Sequence, residues 1–324
     1  MIRGRMYVWA GSSGATLLFL SSLLSTPAAD TNAAPAPAAT PATVSSTVAS
    51  PAARTPAQPA QFIRVGFPAG LFRDVPEVLI QAAATPFKKT LHKELGLHGD
   101  MVVVPDYKAL AEQLRDGKLE IGVFHGFEYA WIKDTPGIVP LVVTHPTCGR
   151  VQACLVVHTD CPAQGPQQLK GACIAIPRGC KAHCLLFLER LRNDPAIPTG
   201  DCCPMKPAGQ SAEEVLDAVV AGTCVAALVD IGTLQAYREL KPGLAQKLKV
   251  LAQSPPLPPA VIVWRQGSLT PEQIAKIREG LLSCHKTPIG RTFTHFWQLE
   301  CFKEVTPEYL TLVEDCLKHY PPAK

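Results

Sequence analysis

The sequence predicts two α/β lobes that divide near residue 147. Three observations support this. Short runs rich in Val, Ile and Phe alternate with amphipathic helical runs on both sides of Gly149-Arg150. Gly, Pro and Asp-Pro breaks punctuate the runs at regular intervals. Across 324 residues, 47% hydrophobic and 18% charged content describes a chain that buries a core, and neither a coiled coil nor a disordered polymer.

Phe62–Phe67 (FIRVGF) is a short strand ended by Pro68 and Gly70. Val75–Leu95 is mainly helical, with Pro76 suited to a first turn and Pro86 marking a break. Met101–Val104 is the next strand. Tyr107–Arg115 sets Leu110 and Leu114 one turn apart on a helix that Gly117 ends. Glu120–Phe124 reads as strand, Phe127–Lys133 as a short helix and Ile138–Thr144 as strand. Past Gly149, Val151–His158 and Cys173–Ile176 are strands, and Cys184–Arg192 is a helix closed by Asp194-Pro195. Cys202–Lys206 is a short strand. Ser211–Ala221 is a helix capped by Ser211, with Glu213 and Glu214 placed to suit its dipole. Cys224–Val229 is a buried strand. Leu248–Ala252 and Val261–Trp264 flank the break Ser254-Pro255-Pro256-Leu257-Pro258-Pro259, and Pro271–Ser283, Ile289–Leu299 and Pro307–His319 form a helical end.

The first 61 residues belong to neither lobe. Arg3 and Arg5 precede an apolar stretch strongest at Ala15–Leu24, then small residues at Pro27-Ala28-Ala29. That order describes a secretory signal peptide over residues 1–29, with an uncleaved membrane anchor as the other reading. Residues 30–61 are rich in Ala and Pro and carry only Asp30 and Arg54 as charges, the composition of a disordered tether. Setting aside Arg3, Arg5, Arg54 and Asp30 from 31 basic and 27 acidic residues leaves a nearly neutral body. Nucleic acid, whose binding rests on neutralising many phosphates, is therefore not an expected partner. All 12 cysteines lie between Cys148 and Cys316. In an exported protein an even count favours disulfides over metal or redox work.

Several stretches carry a resemblance. Asp106-Tyr107 followed by LAEQLRDGKLEIGVFHG, then ACLVVHTDCPAQGPQQLKGACIAIP, SAEEVLDAVVAGTCVAALVD and LAQSPPLPPAVIVWRQGSLTPEQIAKIREGLL occur in order between Phe62 and Tyr309. They resemble the phosphate, phosphite and phosphonate binding proteins of ABC importers. The resemblance implies a type II periplasmic binding protein fold, with a ligand cleft between two hinged lobes. Lobe 1 would span 62–147, lobe 2 would span 148–257, and 258–324 would return to lobe 1. It also implies binding without chemistry, a small anionic solute, an ABC permease in the inner membrane as partner, no cofactor, a periplasmic location and a monomer.

In this family a turn opening a lobe-2 helix holds the oxyanion with hydroxyls, backbone N–H groups and the helix's positive end. Here that turn reads Pro177-Arg178-Gly179-Cys180-Lys181. Gly179 allows close approach, Cys180 contributes its backbone N–H, and Arg178 and Lys181 contribute charge; solvated cations beside a drifted pocket are the other reading. Tyr107 matches a family position at the cleft, or is a packing tyrosine. His125 stands where the family often has a tyrosine; it meets an anion when protonated, or is a core histidine. Asp230 ends a strand, where it accepts hydrogen bonds from the ligand or caps the helix from Ile231. If strands pair as in the family, Cys173, Cys202, Cys203 and Cys224 gather at a lobe edge within disulfide reach. Cys180, His183 and Cys184 share one helical face, which keeps a metal-handling or redox protein on the same scaffold as the alternative. A sensor for a membrane receptor is a third reading. No GxSxG, HExxH, Walker or CxxCH pattern marks an enzyme.

Overall fold

The structure is a computed structural model that describes residues 62–72, 98–169, 174–193 and 211–322, together with 75, 78, 80, 85, 88, 92 and 172. The expected signal peptide, the tether, most of the 75–95 helix and the 202–206 strand lie outside the described residues.

Among the described residues ten strands form two sheets. The larger contains β1 (Phe62–Pro68), β2 (His98–Val104), β3 (Ile121–Phe124), β4 (Ile138–Pro146), β9 (Val261–Arg265) and β10 (Leu299–Lys303), in the order β10-β4-β9-β3-β1-β2. β1 runs parallel to β2 and β3, and β9 runs antiparallel to both β3 and β4. The smaller sheet has the order β6-β7-β5-β8, from β5 (Ala153–His158), β6 (Ile174–Ala175), β7 (Ala226–Asp230) and β8 (Leu248–Gln253).

Helices cover both sheets for reasons visible in their residues. In α1 (Tyr107–Arg115) the Asp106 carboxylate accepts from the Ala109 N–H at 2.8 Å, and Leu110, Ala111 and Leu114 turn inward. α2 (Gly126–Ile132) follows β3 directly, and α3 (Ala182–Asn193) follows β6. Ser211 caps α4 (Ala212–Val220) through a reciprocal pair with Glu214, so the expected start is borne out. α5 (Ile231–Leu240) and the single turn α6 (Pro242–Ala245) return the chain to β8. α7 (Pro271–Ser283), α8 (Pro288–Phe296) and α9 (Pro307–His319) complete the larger lobe. Among the described residues no helix is long and apolar enough to cross a membrane.

One expectation is corrected. The helix expected over Ile289–Leu299 stops at Phe296, and the chain enters β10, which pairs antiparallel with β4. The residue just before β10, Gln298, has φ 55. That left-handed backbone cannot continue a right-handed helix.

Two chain crossings join the sheets. The segment after β4 and the segment after β8 meet in an antiparallel bridge between Val151 and Leu257. The Leu257 N–H donates to the Val151 carbonyl at 2.9 Å. The Gln152 amide donates to the Ser254 carbonyl at 3.0 Å. Beside this hinge the chain comes close to α2: a Cβ at Gly126 would overlap the carbonyl oxygens of Pro258 and Pro259.

Candidate functional site between the lobes

In α/β sheets of this kind, ligand contacts gather at the carboxyl ends of strands. On lobe 2, β6 leads into a turn in which Gly179 has φ +68, with open space where a side chain would stand. Arg178 and Gly179 are exposed there, and the Cys180 N–H donates to the Pro177 carbonyl at 3.2 Å. Lys181 follows immediately before α3. Its ammonium lies 3.1 Å from Asp230 Oδ1 and donates to Gln298 Oε1 at 2.9 Å. These two partners come from the two different lobes.

Asp230 ends β7 and caps α5. Its Oδ1 accepts from the Gly232 and Thr233 N–H groups at 3.1 and 3.2 Å, and its Oδ2 accepts from the Thr233 hydroxyl. Burial pushes this carboxyl up, but Lys181, His183 and the Thr233 hydroxyl together hold it down at about 2. The Lys181 ammonium is pushed down by burial and lifted more strongly by Asp230, so it stays charged. Of the two readings of Asp230, the helix cap describes its hydrogen bonds. Four donors occupy the carboxylate, and it acts on the site by anchoring Lys181. Its side chain is 8% exposed, against 43% for Lys181, so Lys181 is the more exposed member of the pair.

On lobe 1, His125 follows β3 and precedes α2. Its ring stacks on Phe127 at 5.2 Å, its backbone N–H donates to Glu128 Oε2 at 3.1 Å, and its Nε2 has no hydrogen-bond partner among the described residues. Burial pushes the imidazole down to about 4, against a weaker lift from the Gly70 carbonyl. Burial therefore favours the uncharged ring at neutral pH. His183, in the first turn of α3, is also held at about 4 by burial, and its buried Nε2 is likewise without a partner. Sequence reasoning weighed His183 only as a metal ligand; its approach to Asp230 could not be read from spacing. Glu128 is pushed up to about 7 by burial.

Tyr107 is half-buried. Its ring lies 5.0 Å from that of Trp131, and it packs against the lobe-1 core at the start of α1. Burial, then the Asp106 and Glu128 charges, raises its hydroxyl, which stays protonated. Cys180 and Cys184 are 5% and 1% exposed, and the Cys184 thiol is raised by its hydrogen bond with Cys180 and by burial. Among the described residues no three His, Cys, Asp or Glu side chains are disposed to hold a metal ion. Cys173, Cys202 and Cys203 lie outside the described residues, while Cys224 is buried two residues before β7.

The lobes touch around this site. Ala182 and Leu186 of α3 pack against the lobe-1 core, and the Arg190 guanidinium lies 5.3 Å from the centre of the Tyr320 ring.

Comparison with known proteins agrees with this architecture. XAC2383 from Xanthomonas citri, in a structure bound to ATP, superposes with a TM-score of 0.56 at 17% identity, over 81% of this chain and 97% of that one. PhnD1 from Prochlorococcus marinus, in complex with methylphosphonate, gives 0.54 at 13% identity over 80% and 97%. A binding protein component of an ABC phosphonate transporter from Pseudomonas aeruginosa gives 0.51 at 17% over 80% and 85%. No curated protein matches the chain in sequence. The fold is that of the type II periplasmic binding proteins. A family model described as "ABC transporter, phosphonate, periplasmic substrate-binding protein" matches residues 70–310. With two sheets joined by a paired hinge and that match across most of its length, the chain belongs to the phosphonate-type periplasmic substrate-binding protein family of ABC transporters.

Proposed function

We propose that the protein captures a small phosphonate-like oxyanion between its lobes and delivers it to an ABC permease in the inner membrane. The observation that carries this reading is Lys181, an ammonium at the start of α3, held between one lobe's Asp230 and the other lobe's Gln298. Such a cation, placed beside the positive end of a helix, suits a small anion. The exposed turn of Arg178, Gly179 and Cys180 adds charge and backbone approach from lobe 2. Tyr107 and the neutral His125 supply hydrogen bonds from lobe 1. The ligand is bound and released without chemistry, by a monomer outside the cytoplasm, with residues 62–147 and 258–324 as one lobe and 148–257 as the other. Residues 1–29 act as the export signal and 30–61 as the tether, a reading supported by their composition. For the cysteines, their even number together with the export reading supports disulfides.

Thermal unfolding against methylphosphonate, phosphite, phosphate and ATP tests the reading. The expected result is stabilisation that grows with concentration, reaching about 2.7 kcal/mol at one hundred times the dissociation constant. Lys181→Met should weaken binding of the stabilising anion by about tenfold or more, the worth of a charge-assisted hydrogen bond. No stabilisation by any of the four anions defeats the ligand assignment and leaves the family untouched.

A further inference from the structure

Gln298 has a backbone that suits it poorly and a side chain that reaches across the lobes. Among the described residues it is the one non-glycine with positive φ, at 55. Glycine would adopt that conformation at less cost. The backbone is held at both polar groups. The Gln298 N–H donates to the His295 carbonyl at 3.0 Å, and its own carbonyl accepts from the Thr147 N–H, at the start of the first crossing, at 3.1 Å. This turn needs no amide side chain, yet the amide oxygen accepts from Lys181, 117 positions away in sequence and in the other lobe. A strained residue with a specific long-range contact is a sign of function.

Charge explains why the residue is an amide. Asp230 already balances the Lys181 ammonium. A second carboxylate at 298 would cancel the positive charge that Arg178 leaves at the mouth of α3 and weaken its pull on an anion, whereas a neutral carbonyl oxygen can orient the ammonium without adding negative charge. We propose that Gln298 is the cross-lobe positioning residue of the ligand site: it holds the Lys181 ammonium at the interlobe mouth and registers closure through the first crossing. This inference rests on the oxyanion reading for its effect on affinity, but not for its effect on Lys181.

Two variants test it in the otherwise unaltered protein. Gln298→Gly removes the amide while easing the backbone, so thermal stability should hold or rise. Methylphosphonate affinity should nevertheless fall by about tenfold. Gln298→Glu should lower affinity further than Gln298→Gly. In the absence of ligand, acetic anhydride should acetylate Lys181 several times faster in Gln298→Gly than in the unaltered protein, read by peptide mass spectrometry. An unchanged acetylation rate overturns the proposal, as does an unchanged affinity wherever the unaltered protein binds methylphosphonate measurably. Should the unaltered protein bind no methylphosphonate, phosphite or phosphate, the oxyanion reading fails by itself. The acetylation rate then decides the role of Gln298: a faster rate upholds it and an equal rate rejects it.

Discussion

Lys181 and Asp230 form an unequal pair, a partly exposed lysine beside a buried and saturated anion. The neighbouring histidines carry their burial into the pH dependence. His125 and His183 sit at about 4 rather than the usual 6.5. The unfolded chain therefore takes up protons at these rings before the folded chain does, and stability falls as pH drops from about 6.5 to 4. Glu128, raised to about 7, acts in the opposite sense, because its folded carboxyl is protonated first and contributes stability as pH falls from about 7 toward 4.5. Two rings against one carboxyl leave a net loss. Asp230, at about 2, adds a further loss as pH falls from about 4 to 2. Urea unfolding at pH 7.5, 5.5 and 4.5 should show progressive weakening. His183→Gln should lose less stability between pH 6.5 and 4 than the unaltered protein; an equal loss would mean that His183 is not buried as a neutral ring.

The start of α2 is the element on which the hinge depends most closely. Gly126 presses against the carbonyls of Pro258 and Pro259, and any side chain there pushes the helix off the second crossing. Gly126→Ala should therefore cost about 1–3 kcal/mol, the range for overpacking against an unyielding neighbour. Gly179→Ala provides the comparison. It meets open space but keeps φ +68, so only backbone strain of about 1 kcal/mol is expected. Denaturant midpoints of the two variants separate these causes, and equal losses would argue against the close approach at Gly126. In β5 and β7 nearly every residue is buried, as expected of strands covered on both faces. β10 escaped sequence reading because Phe293, Phe296 and Trp297 maintain an apolar helical rhythm with no Gly or Pro between Gly290 and Leu299. Its strand identity comes from pairing with β4, a tertiary effect.

At the largest scale, the two lobes are in contact among the described residues. α3 contributes at both ends, through Lys181 to Gln298 and through Arg190 to Tyr320, with Ala182 and Leu186 packed between. Lobe motion can occur about the two crossings, which pair with each other at Val151 and Leu257. Arg190→Ala should loosen closure without touching the ligand site. The radius of gyration of the ligand-free protein should rise, and methylphosphonate affinity should fall by about two- to fivefold, the worth of an exposed cation–π contact. Small-angle scattering and titration calorimetry measure the two effects. No change in either would place closure elsewhere.

Local patterning carried much of the architecture into view. The capping box at Ser211 and Glu214, the paired leucines of α1, the apolar strands β5 and β7 and the Pro-rich break before β9 are short-range features, decided by which neighbours a residue has along the chain. Their order was enough to suggest two lobes, and the resemblance to the binding proteins implied the hinge and the turn at Arg178–Lys181. The state of that turn was not legible, because Lys181 meets Asp230 49 positions away and Gln298 117 positions away. The neutrality of His125 and His183 was equally hidden, since it follows from desolvation by the assembled lobes. Sequence determined the elements and the chemistry available near the mouth of α3. Only the folded arrangement decided which charges cancel, which rings are dry and which residue spans the lobes, because electrostatics and burial depend on distance in space.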